Sequence, residues 1–461
     1  MLKALRDWLS DRREPPGPTP PPAGAQAFAQ LNRNAPLRAG TATGEDSAAA
    51  SLSYLCREAV LGRDQHVAGY QFMLHEGTRG NIRNSSRRIH HVYAEVLVRN
   101  LIHADIGRLL GHRLAFIQVP DSFLAHPCLA DLPAGNVVLE IMPHPDPGAP
   151  APEALVETVR GLRQAGFRIG LPNPQAVPEH AALLPQADVV VARAPTLDAL
   201  RHVELGRLIA ASAPNARLLV RDLPALEDFR FAYKMGGALF QGPFITSRED
   251  WSEGELSPDT LRIAALIKHL REDADTRKIA ALIKQDAALA LRLLRYINSA
   301  ANALPEPIQS IEHALLILGR APLQRWLILL NCGTAQRGGR SAAALEAALI
   351  RARMMELLAA RRAPAEREEL FLVGLLSLAD VIMRAPLGKI LAQLALAPAI
   401  RTALLNAEGP LYPLLELAIA TENGHADAQR VRCAAERCGV APHQASIRHL
   451  EAVMWAMELQ A

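Results

Sequence analysis

The chain has 461 residues, 50% apolar and 21% charged, a globular composition and not that of a disordered tail. Its 50 Lys and Arg stand against 47 Asp and Glu, and a net charge of +3 argues against a dedicated nucleic-acid or anionic-membrane binder. Aromatics, at 4%, are too few for a base-stacking platform or an all-β protein, and the length suits two or three domains.

The opening MLKALRDWLSDRREPP is broken by Arg6, Asp7, Asp11, Arg12, Arg13 and Glu14, so it has no signal-peptide core and reads as a short amphipathic helix. Six prolines within 15–22, followed by an Ala/Gly/Thr/Ser-rich stretch, make residues 1–50 a short helix and a tether. From 51 to 250, short apolar runs alternate with helical stretches. The expected strands are 114–119, 136–142, 167–171, 187–193, 216–223 and 238–245; the helices between them include 152–165, 197–213 and 225–235. Such alternation indicates βα units around a buried parallel sheet, and six or more strands can close into a barrel.

After Trp251 the strands stop. Ser257 as N-cap and Pro258 at the first helical position start one helix, and Asp275 caps a second that runs from Thr276 through Ala300. RIAALIK (262–268) and KIAALIK (278–284) nearly repeat, as two similar amphipathic helices. Further helices are expected at 310–318, 322–331, 342–362, 366–383 and 411–422, so residues 251–461 read as all-α. No apolar run is long enough to cross a bilayer. The 5 cysteines are scattered and odd in number, which suits reduced thiols in a cytoplasmic protein.

Several catalytic signatures are missing. There is no GxxxxGK[ST] loop, no GxGxxG after a strand, no GxSxG elbow and no HExxH helix, and none of the 15 histidines precedes an aspartate. TRGNIRNSSRRIHH (78–91) gathers Arg79, Arg83, Arg87 and Arg88 beside His90 and His91. Guanidinium forks of this kind grip phosphate, although a solvated loop leading into a helix is the commoner use.

The ordered series LGRDQHVAGYQFML (61–74), NVVLEIMP (136–143), AGFRIGLPN (165–173), ADVVVAR (187–193), LLVRDLP (218–224) and GALFQGPF (237–244) resembles an EAL domain, the cyclic-di-GMP phosphodiesterase barrel. Residues 279–319, 370–396 and 404–424 resemble an HDOD domain. The order of the two resembles a bacterial family of two-domain signalling proteins of the YuxH type, over residues 53–461. The resemblance implies a fold of α/β plus all-α class, an EAL-like (β/α) barrel followed by an all-helical HDOD domain.

Position by position, the resemblance also implies lost chemistry. Hydrolysis by two metals needs several converging carboxylates and a base for water. Gln71-Phe72-Met73 stands where the family has Glu-Ala-Leu, and Gln118 where it has its metal-binding Asn. Pro143 replaces a carboxylate, Pro172 and Asn173 the paired aspartates, Val191-Ala192-Arg193 the Lys-x-Asp, and Arg221 a glutamate. Glu140 and Gln241 alone remain of the polar set, with Arg193 and Arg221 as cations that repel metal and attract phosphate. Ser377-Leu378 takes the place of the His-Asp pair of related helical hydrolases. Asn298, Ser299 and Asn302 are polar residues at an apolar helix end, suited to a partner contact or to capping.

The expectation from sequence is therefore a cytoplasmic bacterial scaffold or adaptor, not an enzyme, with no metal and no cofactor, acting through an unknown regulatory protein partner. A cyclic-di-GMP receptor that binds without hydrolysis is the first alternative, and a residual phosphodiesterase the second. No nucleic-acid partner is expected.

Overall fold

The computed structural model describes residues 54–75, 87–103, 105–142, 148–174, 178–196, 198–249, 251, 254–272, 274–298, 308, 310–334, 339–394, 396–422 and 428–458. The expected N-terminal helix and tether, and Arg79, Arg83, Pro143, Ser299 and Asn302, lie outside them. Contacts divide the described chain into two compact units. One joins the barrel to residues 416–454, and the other is built on residues 248–415.

The first unit holds a closed barrel of eight strands in chain order: β1 (Tyr54–Gly62), β2 (Val67–His75), β3 (Leu114–Pro120), β4 (Val137–Met142), β5 (Arg168–Pro172), β6 (Val189–Arg193), β7 (Arg217–Arg221) and β8 (Leu239–Phe240). The six expected strands are β3 to β8. The hairpin β1–β2 adds two that the alternation of apolar runs did not mark, because polar residues such as Glu58 and Gln71 interrupt them. β1 runs antiparallel to both neighbours, whereas β2 to β8 are parallel. Barrel interiors are filled by inward side chains two residues apart along each strand. Here Val60, Leu114, Phe116, Val138, Val189, Leu219 and Leu239 form that filling.

The second unit is helical. Ser257 accepts a hydrogen bond from the Thr260 N–H and caps Pro258–Arg271, as its sequence suggests. The single helix expected after Asp275 is two, Thr276–Lys284 and Ala287–Ile297. Asp286 breaks it: its side chain accepts from the Leu289 N–H and starts a new helix instead of continuing the old. The run expected at 366–383 is likewise split, into Pro364–Leu376 and Ala379–Met383. Ser377 ends the first part, its hydroxyl donating to the Gly374 carbonyl at 2.7 Å. Trp326 is a core residue, 3% exposed and stacked on Tyr296 with ring centroids 5.8 Å apart.

The helices Gly339–Leu358 and Pro364–Leu376 pack backbone to backbone at Gly374, where an added Cβ would stand 2.4 Å from the Ala352 N and Cα. Gly374→Ala should therefore destabilise the helical unit by about 1–3 kcal/mol, the usual effect of overpacking. Urea denaturation reads this, and an unchanged midpoint would refute the close approach.

Candidate functional site

In barrels built from βα units, reacting groups gather at the carboxyl ends of the strands, where loops are free to vary over a rigid base. At that end of this barrel the inward positions turn from apolar to polar. Glu140 follows Val138 on β4, Arg221 follows Leu219 on β7, and Gln241 follows Leu239 just after β8. Glu58 on β1 is paired in register with Gln71 on β2.

These groups form two sets. The Arg221 guanidinium holds both oxygens of Glu140, with Nη1 to Oε2 at 2.6 Å and Nη2 to Oε1, in a bidentate pair between β7 and β4. Both partners are buried, at 2% and 3% exposure. Gly170, level with Glu140 on the neighbouring strand, makes room: a Cβ there would stand 2.8 Å from the Glu140 Cγ. In the second set, the Gln241 side-chain amide donates to Glu58 Oε2 at 2.5 Å and to Gln71 Oε1 at 2.7 Å. The Gln241 Oε1 and the Arg221 Nε are buried without a hydrogen-bond partner.

Of the four residues that the sequence proposes for this pocket, the structure joins Glu140 with Arg221 and places Gln241 with Glu58 and Gln71. Arg193 stands apart, half exposed, 3.5 Å from the Asp222 carboxylate. Glu58 is the residue that sequence reasoning missed, and it gives the mouth a second carboxylate. Its signal lay in the β1–β2 pairing, which no motif announced. Arg221 points inward, but Glu140 neutralises it.

Both Glu140 oxygens are taken, and Gln71 and Gln118 are neutral amides. No group of three or more His, Cys, Asp or Glu is placed to hold a metal ion among the described residues. The residues present do not fit a two-metal centre.

A rim cluster lies beside this mouth, just past β3. Arg87, at the start of the helix Arg87–His103, pairs with the buried Asp121 and donates to the Ser122 hydroxyl at 2.7 Å. His91, one turn on, lies 2.6 Å from the same hydroxyl through Nε2 and meets the Phe123 ring edge-on. Phe123 also stacks on His126. Burial, then the nearby Arg87 and His126, push the His91 pKa below its ordinary value of 6.5. Arg87 thus serves an internal ion pair, which takes one of the arginines of 78–91 out of the phosphate-gripping reading.

In the helical unit, Asn298 ends its helix and brackets Ile308. Its amide donates to the Ile308 carbonyl and its oxygen accepts from the Ile308 N–H, both at 2.6 Å. Ser377 accepts from Arg351 at 3.1 Å, and Arg248 reaches the Ser377 carbonyl and the buried Asp380 carboxylate, at 3.3 and 3.2 Å. A guanidinium-rich contact therefore surrounds Ser377 and Asp380.

One family model and several known proteins are similar to this chain. The HDOD domain family matches residues 257–407. A protein of Vibrio cholerae serotype O1 named cyclic di-GMP phosphodiesterase CdgJ is 25% identical over 367 residues, covering 79% of this chain and 84% of the relative. The uncharacterized protein YuxH of Bacillus subtilis strain 168 is 22% identical over 417 residues, covering 88% and 98%. Among solved structures, an EAL domain protein of Listeria monocytogenes is 13% identical with a TM-score of 0.36, over 46% of this chain and 94% of that one. The YkuI protein of Bacillus subtilis, with an EAL domain, in complex with cyclic-di-GMP and calcium, is 18% identical with a TM-score of 0.36, over 52% and 72%. The expectation that the chain is not an enzyme is overturned by the first relative, which matches most of its length and is named a phosphodiesterase. No helix among the described residues is long and apolar enough to cross a membrane.

Two measurements follow from this geometry. Glu140→Leu leaves a buried guanidinium unpaired and should cost about 3–5 kcal/mol, whereas Glu140→Leu with Arg221→Met should recover most of it. Chemical denaturation of the two variants decides, and equal losses would show that the pair is not coupled. His91 binds protons less readily folded than unfolded, so its contribution to stability falls as the pH drops below about 6.5. Thermal melts from pH 8 to 5 should show that loss, reduced in His91→Asn.

Proposed function

Starting from a two-domain chain of the EAL-HDOD type, we propose that it works in cyclic-di-GMP signalling, with the barrel mouth taking the dinucleotide and the helical domain passing the outcome to a protein partner. The observation that carries this reading is the extent of the match to the Vibrio relative, which runs through both domains. The mouth has chemistry suited to such a ligand. A cyclic dinucleotide carries two phosphodiester anions and two bases rich in hydrogen-bond donors. Arg193, half exposed at the end of β6, is placed to meet a phosphate oxygen from the rim. Glu58 and the Gln241 oxygen offer acceptors to base N–H groups. Glu140 balances the Arg221 charge and holds its guanidinium in one orientation.

In the helical domain, Arg325 reaches Glu368 at 2.6 Å and Glu356 at 3.2 Å while lying 3.6 Å over the Phe371 ring. This buried network stiffens the helices around it and supports a role in which the domain presents a fixed face to another protein.

Calorimetric titration of cyclic-di-GMP into the full-length protein tests the reading. Saturable binding is expected, and Arg193→Ala, which removes an exposed cation and leaves the core intact, should weaken it about tenfold. A folded sample that releases no heat at several temperatures would sink the proposal. Hydrolysis is the second reading, favoured by the name of the Vibrio relative. It predicts linear dinucleotide on incubation of the chain with cyclic-di-GMP, with or without magnesium, and loss of that product in Glu140→Gln.

A further inference from the structure

The opposite end of the barrel carries two cations on strands either side of β6. Arg168 is the first residue of β5 and Arg217 the first of β7, the two strands that flank β6. Two residues beyond Arg168, Gly170 faces the Glu140 side chain; two beyond Arg217, Leu219 belongs to the interior cluster. The period-two alternation of strands therefore sets both arginines on the inward face, at the amino-terminal end. Their register partners on the neighbouring strands, Val138 and Val189, are fully buried apolar residues.

Both arginines are half-buried, and neither guanidinium donates a hydrogen bond or closes an ion pair among the described residues. Among the described residues the carboxylate that acts on Arg217 is that of Asp188, and it is already committed. Asp188 accepts from Arg163 Nη2 at 3.2 Å through Oδ1 and from the Ile169 N–H at 2.9 Å through Oδ2. Burial and the neighbouring Arg168 lower the Arg217 pKa, against a weaker upward pull from Asp188.

We propose that Arg168 and Arg217 form a second binding site, at the amino-terminal end of the barrel, for a small phosphate-bearing anion. Like charges on one face, each partly removed from water, repel one another, and a multiply charged oxyanion between them relieves that repulsion. Guanidinium forks match the oxygen pairs of phosphate in a way that single ammonium groups do not. The site is separate from the mouth and does not depend on cyclic-di-GMP being its ligand.

Thermal denaturation of the full-length protein in pyrophosphate, with chloride balancing ionic strength, tests this. Pyrophosphate should raise the melting temperature of the wild type along a saturating curve. Arg168→Met with Arg217→Met should shift that curve at least tenfold to higher concentration, and in anion-free buffer should melt no lower than the wild type, since a repulsive pair has been removed. Arg217→Lys keeps the charge but not the fork; it should respond several-fold more weakly with an unchanged melting temperature in anion-free buffer. No response in the wild type, or the same response in wild type and double variant, overturns the site. An unchanged response in Arg217→Lys overturns the fork.

Discussion

The buried pair of Arg221 and Glu140 decides what the barrel mouth is. A carboxylate and a guanidinium removed from water each carry a large desolvation cost, and each is tolerable only because the other is there. The bidentate geometry uses both carboxylate oxygens, so Glu140 has no free face to offer an ion. The pair also ties β4 to β7 across the interior, just above the apolar filling of Phe116, Val138 and Leu219. Gly170 is small for the same reason, since any side chain there would displace the Glu140 stem.

Around that pair the remaining polar groups are arranged by satisfaction of hydrogen bonds. Gln241 bridges Glu58 and Gln71, which sit opposite one another in the β1–β2 pairing. The mouth is therefore a ring of amides and balanced charges instead of a cluster of carboxylates.

The helical unit follows the same economy of charge. Arg325 is buried against Glu356 and Glu368, and burial raises the Glu368 pKa against the pull of Arg325. Arg248 and Glu249 bring the start of the unit onto its own helices, through Asp380 and Arg340. Arginine serves in all these contacts because its planar fork holds two acceptors at once and its charge survives burial.

The sequence by itself determined the fold class, the six parallel strands from Leu114 to Phe240, and the change to helices after Trp251. Periodicity and capping are local, and residues such as Ser257 and Pro258 act on their own neighbours. The family resemblance located Glu140, Arg193, Arg221 and Gln241 along the chain. Only the tertiary structure decided which of these meet, because Glu140 and Arg221 are 81 residues apart and barrel closure alone brings them together. The same holds for Glu58, whose place at the mouth follows from an antiparallel first strand. It holds also for Arg168 and Arg217, which no motif joins and which strand register sets on one face. Side-chain pairing across a closed sheet depends on register and shear, and no local pattern of residues encodes either.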